Sequence, residues 1–215
     1  MPNRLVSIPS ANIREDAQTR ILRFLWRGRT EWSGREIARK VGLSAPACHE
    51  ALKKLDARGL VHLRRVSNVH LYQVNPENYL VQNVFGHQFE AEAAMPGKVV
   101  ALVTKSLIDS PKSDVVSIVL FGSMARGTAR LGSDLDLLVV LPTKEGVQTV
   151  EARVEHLRDL LFRRFNVPLS PCIQTLSELR HKHQRKLPLI REILKDGRTI
   201  YGKDIKELLS CPRRK

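Results

Sequence analysis

Two aspartates, Asp134 and Asp136, stand one residue apart at the mouth of the apolar run Leu137–Leu141. In an extended strand, side chains at i and i+2 leave the same face. Both carboxylates therefore point together, about 7 Å apart at the backbone. Carboxylates that close repel, so one must hold a proton or a divalent cation must neutralise both. Mg²⁺ suits oxygen ligands of this kind and takes substrate phosphates as well. Upstream, the apolar "VVSIVLF" runs into Gly122 and Ser123. A turn there offers backbone N–H groups and a hydroxyl, and a helix expected to begin near Met124 adds a favourable dipole. A lone pair of acids would read as a solvated strand end. With the Gly-Ser turn beside it, the chemistry becomes that of a metal–triphosphate complex.

These groups need a sheet to hold them. The sequence predicts a strand over "VVSIVLFGS", a second over "DLDLLVVLP" ended by Pro142, and a third over "VPLSPCIQT". Between the second and third, "EGVQTVEARVEHLRDLLFRRF" is a helix with Val147, Val150, Val154, Leu157, Leu161 and Phe165 at apolar positions. "LSELRHKHQRKLPLIREILKDG" is helical with a break expected at Pro188, and "TIYGKDIKELL" follows. "NPENYLVQNVFGHQFEAEAAMPGKVVALVTKSLIDS" reads as helix from an Asn-Pro cap, with breaks expected at Gly86 and at Pro96-Gly97.

The N-terminal part has a different pattern. Ile21, Leu22, Phe24 and Leu25 fall at helical spacing, closed by Gly28. Ser33 caps a short helix with Ile37, Ala38 and Val41 inward and Gly42 at its end. Ser44 caps a third helix whose buried stripe is Cys48, Leu52 and Leu55. "LVHLRRVSNVHLYQV" alternates around Ser67-Asn68 and reads as a hairpin. This order resembles a winged helix-turn-helix of the MarR and ArsR type over about residues 18–75. That resemblance makes the third helix the reading helix. Ser44, Pro46, His49 and Lys53 are then candidates to contact DNA, with Glu50 also off the apolar stripe. Arg64 and Arg65 lie on the hairpin, where a wing would meet backbone phosphate. A protein-interaction or dimer module is the bland alternative.

The phrase "GSMARGTARLGSDLDLLVV" resembles the signature of the DNA polymerase β nucleotidyltransferase superfamily, particularly its minimal MNT-type members. The likeness extends over about residues 97–205. It implies that Asp134 and Asp136 bind divalent metal, Mg²⁺ or Mn²⁺, as the catalytic pair. It implies that Gly122 and Ser123 hold the phosphates of an NTP, ATP being the expected one. Arg126 and Arg130 could reach phosphate or simply be solvated, and Ser133 caps the turn into the strand. Family members carry a third carboxylate on a later strand. Here Ser170 aligns with it, and no Asp or Glu lies between Asp159 and Glu178. A serine is neither an anionic ligand nor a base near pH 7.

The fold class expected is therefore α+β: a winged helix-turn-helix followed by a nucleotidyltransferase domain with a mixed sheet and flanking helices. The expected divisions are a flexible N-terminus (1–17), the winged helix (18–75), a linker helix (76–96) and the nucleotidyltransferase-like domain (97–215). Three functions stay open. The chain transfers NMP to a hydroxyl acceptor, with a substrate group, water or Glu178 replacing the lost acid. Or it is a catalytically impaired nucleotide-sensing transcription regulator. Or it is an MNT-type antitoxin pairing with a HEPN-like toxin. Whether it is an enzyme is thus undecided by the sequence.

Charge bears on partners. The 215 residues carry a net charge of +14, which suits a polyanion such as duplex DNA. Residues 1–75 hold 14 Lys/Arg against 6 Asp/Glu, and residues 176–215 hold 12 against 5, while 111–175 are almost balanced at 8 against 7. "RHKHQRK" (180–186) is a nucleic-acid grip or a solvated helix face. Cys48, Cys172 and Cys211 share no CxxC spacing, so neither a disulfide framework nor a zinc site is expected. No apolar run spans a membrane and no secretory leader is evident, so a cytoplasmic protein is expected. A two-fold DNA site would call for a homodimer.

Overall fold

The computed structural model describes residues 16–108, 115–130 and 132–210. The chain divides into two compact units, with the boundary between Ala94 and Met95.

The first unit opens with α1 (Ala17–Gly28), capped by the Asp16 carboxylate, which accepts from the Thr19 amide. β1 (Trp32–Ser33) leads into α2 (Gly34–Val41). Ser33 and Glu36 close a reciprocal capping box, so two orphan amides of α2 are satisfied. Gly42 ends that helix with φ +65°, a left-handed conformation that costs a glycine nothing. α3 (Ala45–Ala57) starts at Ser44, whose hydroxyl accepts from the Ala47 amide, with Pro46 in its first turn. β2 (Val61–Val66) and β3 (Val69–Val74) form the hairpin around Ser67, which adopts φ +52°. β1 adds to β3, giving the sheet order β1-β3-β2. Ile21, Leu22, Leu25, Ile37, Cys48, Leu52 and Leu55 are buried together as the helical periodicity predicts. Each buried Leu or Ile stabilises the unit by about 1.5–3 kcal/mol.

Asn78 accepts from the amides of Leu80 and Val81 and starts a π-helical segment, Val81–Gly86. It continues as α4 (His87–Ile108). Gly86 does not break the path. It lies against Trp26, where an added Cβ would come within 2.7 Å of the indole. Pro96-Gly97 does not break it either, because α4 runs through Pro96. Val81 and Phe89 belong to the first unit's core, and Val99, Val103 and Leu107 to the second's.

The second unit is built on a four-stranded sheet in the order β6-β5-β4-β7. β4 (Ser117–Phe121) runs antiparallel to both β5 (Leu135–Leu141) and β7 (Arg198–Gly202), while β5 and β6 (Leu169–Thr175) are parallel. α6 (Val147–Phe165) makes the crossover from β5 to β6. β5 is central and apolar on both faces, as a doubly covered strand must be. Leu135, Leu137, Val139 and Leu141 pack with α4 and α6. Leu138 and Val140 pack on the other side with α7 (Leu176–Gln184), α8 (Pro188–Asp196) and α9 (Ile205–Ser210). Pro188 sits in the first turn of α8, so the break expected there is present. α5 (Gly122–Arg126) is a single short turn that begins at Gly122 rather than near Met124. The dipole expected from a longer helix is correspondingly small.

Cys48 and Cys172 are free thiols, and Cys211 lies outside the described residues. Among the described residues, no helix is long and apolar enough to cross a membrane.

Candidate functional site

The two aspartates sit at the start of β5. Asp134 is exposed just before the strand, and Asp136 is half-buried within it. Asp136 shares a strand face with Leu138 and Val140, the face covered by α8. Its carboxylate fills the space over Gly122, where an added Cβ would lie 1.9 Å from Oδ2. Gly122 also has φ +72°, which disfavours any side chain. Two independent constraints therefore require glycine here: the left-handed turn and the close approach of the acid.

Burial pushes the Asp136 carboxyl above its ordinary range. The neighbouring charges of Asp134 and Glu192 push the same way, and Arg126 opposes them. The sheet holds this negative charge in an unfavourable place, as sites that bind cations do. Ser133 fixes the approach: its hydroxyl accepts from the Arg130 amide, and its own amide donates to the Arg130 carbonyl. The turn into the strand is capped by that pair. Ser123 is half-buried in the first turn of α5. Gly127 closes α5 with φ +78°, and the Thr128 amide donates to the Ser123 carbonyl.

Ser170 is the register partner of Asp136 on the parallel strand β6. Register partners on adjacent strands lie about 4.8 Å apart and on the same face. A third carboxylate at 170 would stand beside Asp136, and a hydroxyl stands there instead. Glu178 does not replace it. Its carboxylate accepts from the Thr175 amide in the capping box of α7 and lies 3.6 Å from Lys144. The bond from the Thr175 amide, followed by that from the Thr175 hydroxyl, holds the Glu178 carboxyl below its ordinary value.

A different acid is near, one that no motif or spacing in the sequence marks. Arg126 donates to Glu192 on α8 at 2.6 Å and reaches Asp196 at 3.5 Å. The guanidinium expected to be solvated or on phosphate is thus engaged by two carboxylates. Glu192 is far from the aspartates in the chain, and the α5–α8 packing brings it close. Among the described residues, no group of three His, Cys, Asp or Glu side chains is assembled as a ready metal cage. The donor set at Asp134 and Asp136 is all oxygen, and it suits a hard cation whose remaining ligands come with a substrate.

The candidate DNA contacts fall on the first unit. Pro46, His49 and Lys53 are exposed on α3, and Ser44 is exposed at its cap. The Ser44 hydroxyl is committed to its cap. Between the start of α2, α3 and the hairpin lies a crevice of about 520 Å³ whose walls include Arg35, His49, Asn68 and His70. Arg64 and Arg65 differ. Arg64 forms a forked ion pair with Glu31, with one N–H···O distance of 2.7 Å, whereas Arg65 is exposed on the hairpin.

A family profile described as a nucleotidyltransferase domain matches residues 103–201. A profile described as winged helix-turn-helix DNA-binding matches residues 14–62. A Methanocaldococcus jannaschii protein, provisionally named a protein adenylyltransferase, is 37% identical over 94 residues, 42% of this chain and 61% of its own. The chain thus spans about three fifths of that relative's length. Two solved structures are similar at lower levels. One is a toxin–antitoxin with AMP-PNP, 16% identical over 51% of this chain and 78% of its own, with a TM-score of 0.34. The other is a mutant of Lactococcus lactis ZitR in apo form, 21% identical over 45% of this chain and 68% of its own, with a TM-score of 0.30.

Proposed function

We propose, for a chain that joins a winged helix-turn-helix DNA-binding domain to a nucleotidyltransferase domain, that the second unit takes a metal-bound nucleoside triphosphate and transfers its NMP to a hydroxyl. The observation that carries this reading is the seating of Asp136 over Gly122, with Asp134 close enough that its charge is felt at the Asp136 carboxyl. A half-buried carboxylate placed near a second acid is costly unless a cation is to join them. A divalent cation, Mg²⁺ or Mn²⁺, would be held by Asp134 and Asp136, and when bound it supplies charge neutralisation between the acids and the triphosphate. Gly122 and Ser123 orient the phosphates through the backbone of a turn that has no side chain in the way. ATP is the triphosphate and a protein hydroxyl the acceptor; the name of the Methanocaldococcus jannaschii relative favours both. The acceptor oxygen bonds to the α-phosphorus, the bond to the bridging oxygen breaks, and pyrophosphate leaves with its electrons. The first unit docks the chain on duplex DNA through α3 and the hairpin.

The test is calorimetric titration of ATP with Mg²⁺ or Mn²⁺ into the wild type and into Asp134→Ala/Asp136→Ala, followed by a pyrophosphate assay on the same samples. Metal-dependent binding with pyrophosphate release, both lost in the double variant, is the expected result. One observation, Ser170 in place of an acid, favours a second reading: a nucleotide-sensing DNA-binding regulator. That reading requires binding without release, and a duplex affinity that changes with nucleotide. Absence of binding would end both.

A further inference from the structure

We propose that Glu192 is the proton acceptor of this site and that Arg126 holds it in reserve until a triphosphate arrives. The inference rests on the nucleotidyltransferase reading above and deepens it. The placement follows from contacts. Asp136 touches Gly122, the first residue of α5. Arg126, the last residue of that one-turn helix, donates to Glu192 at 2.6 Å. α8 presents Glu192 from above the strand face that carries Asp136, since Ile190 and Ile193 of α8 pack with Leu138 and Val140 on that face. Glu192 therefore lies on the side of the sheet that carries Asp136, near enough for its charge to act on that carboxyl. The strand position that could have served, Ser170, is a hydroxyl in register with Asp136. Glu178 is spent on the cap of α7 and on Lys144. Arg126 of α5 ties two acids of α8 to the turn, and Glu192, at 2.6 Å against 3.5 Å for Asp196, is the more tightly held.

Arg126 makes the arrangement conditional. While it donates to Glu192, it occupies one of the carboxylate oxygens. The same guanidinium is one turn of helix from Gly122 and Ser123, where the phosphates of a nucleotide would lie. A triphosphate is a stronger partner for a planar fork of donors than a half-exposed carboxylate. When Arg126 turns to phosphate it releases Glu192 and Asp196 together, since one nitrogen reaches both, while Ile190 and Ile193 keep α8 packed on the sheet, and Glu192 is uncovered. It then takes the proton from the acceptor hydroxyl as that oxygen bonds to the α-phosphorus. The P–O bond to pyrophosphate breaks, and the electron pair leaves with pyrophosphate.

Glu192→Gln removes the acceptor and leaves the pair with Arg126 a hydrogen bond. Both side chains are more than a third exposed, so the fold should survive. Pyrophosphate release should fall about 100-fold or more in kcat with little change in the KM for ATP, because a base acts on the step and not on binding. Calorimetric binding of ATP with Mn²⁺ should stay within about threefold of the wild type, since one surface ion pair contributes little. Glu192→Asp should retain part of the rate. Ser170→Asp added to Glu192→Gln should restore release from the strand side. Glu178→Gln, on an acid outside the site, should leave the rate intact. An unchanged kcat in Glu192→Gln overturns the assignment while the nucleotidyltransferase reading stands. So does wild-type protein that binds ATP yet releases pyrophosphate only after Ser170→Asp. Loss of binding in the wild type removes both.

Discussion

Asp136 weakens the fold it sits in. Its carboxyl is raised above the ordinary 3.8 by burial first, then by Asp134 and Glu192. A carboxyl raised on folding keeps its proton more readily in the native state. Stability is therefore greatest below the unfolded value and falls as pH climbs through the native one. Asp136→Asn should consequently melt with the wild type near pH 3.5 and above it at pH 7, in metal-free buffer. The gap should be of the order of 1 kcal/mol, the usual return on relieving an unfavourable functional group. Equal melting temperatures across that range would refute the burial argument. Gly122→Ala should do the opposite, costing about 2 kcal/mol through its left-handed φ and the 1.9 Å approach to Asp136, and it should abolish ATP binding in the same titration. At this scale the pair of aspartates was legible from period-two spacing alone. That Ser170 faces Asp136 depended on the register of β5 against β6, which no local pattern fixes. Glu192 was not legible at all, because an acid on an amphipathic helix looks like solvated surface until the neighbouring turn is in place.

The helices of the first unit announce themselves through caps and stripes, and those signals act locally. Ser33, Gly42 and Ser44 each do in the structure what their type and position suggest. Ser44→Ala should cost about 1 kcal/mol by freeing the Ala47 amide, read as a denaturation midpoint shift with unchanged m-value. Elements that depend on distant partners were harder to see. β1 is two residues long and exists only because Trp32 and Ser33 pair with Tyr72 and Leu71. β7 was hidden within "TIYGKDIKELL", because its short run is half-buried and lacks the alternation of a one-faced strand. α4 passes through Pro96 although the proline removes one ladder bond. Val99, Val103 and Leu107 beyond it are fully buried, and that packing outweighs the local preference.

On the scale of the whole chain, the net charge of +14 and the exposed face of α3 lead to a steep salt dependence for duplex binding. Arg65→Ala should lower the slope of log affinity against log salt by about one unit, as a lost phosphate contact does. Arg64→Ala should lower it less, because that guanidinium already neutralises Glu31. Fluorescence anisotropy at several salt concentrations separates the two, and a larger slope change for Arg64 would reverse the assignment. The path from hairpin to sheet has a further consequence. Val81 and Phe89 lie past the hairpin yet are buried with α1, α2 and α3, and Arg23 is joined to Glu92 at 2.7 Å. The core of the first unit is thus completed by residues that lie past the hairpin, on the helical path that leads to the second core. A gene fusion that borrowed only the stretch up to Val74 would inherit a domain with part of its floor missing. Shuffling of such modules between genes would succeed when the breakpoint falls inside α4, after Glu92, rather than at the end of the hairpin where the eye would cut.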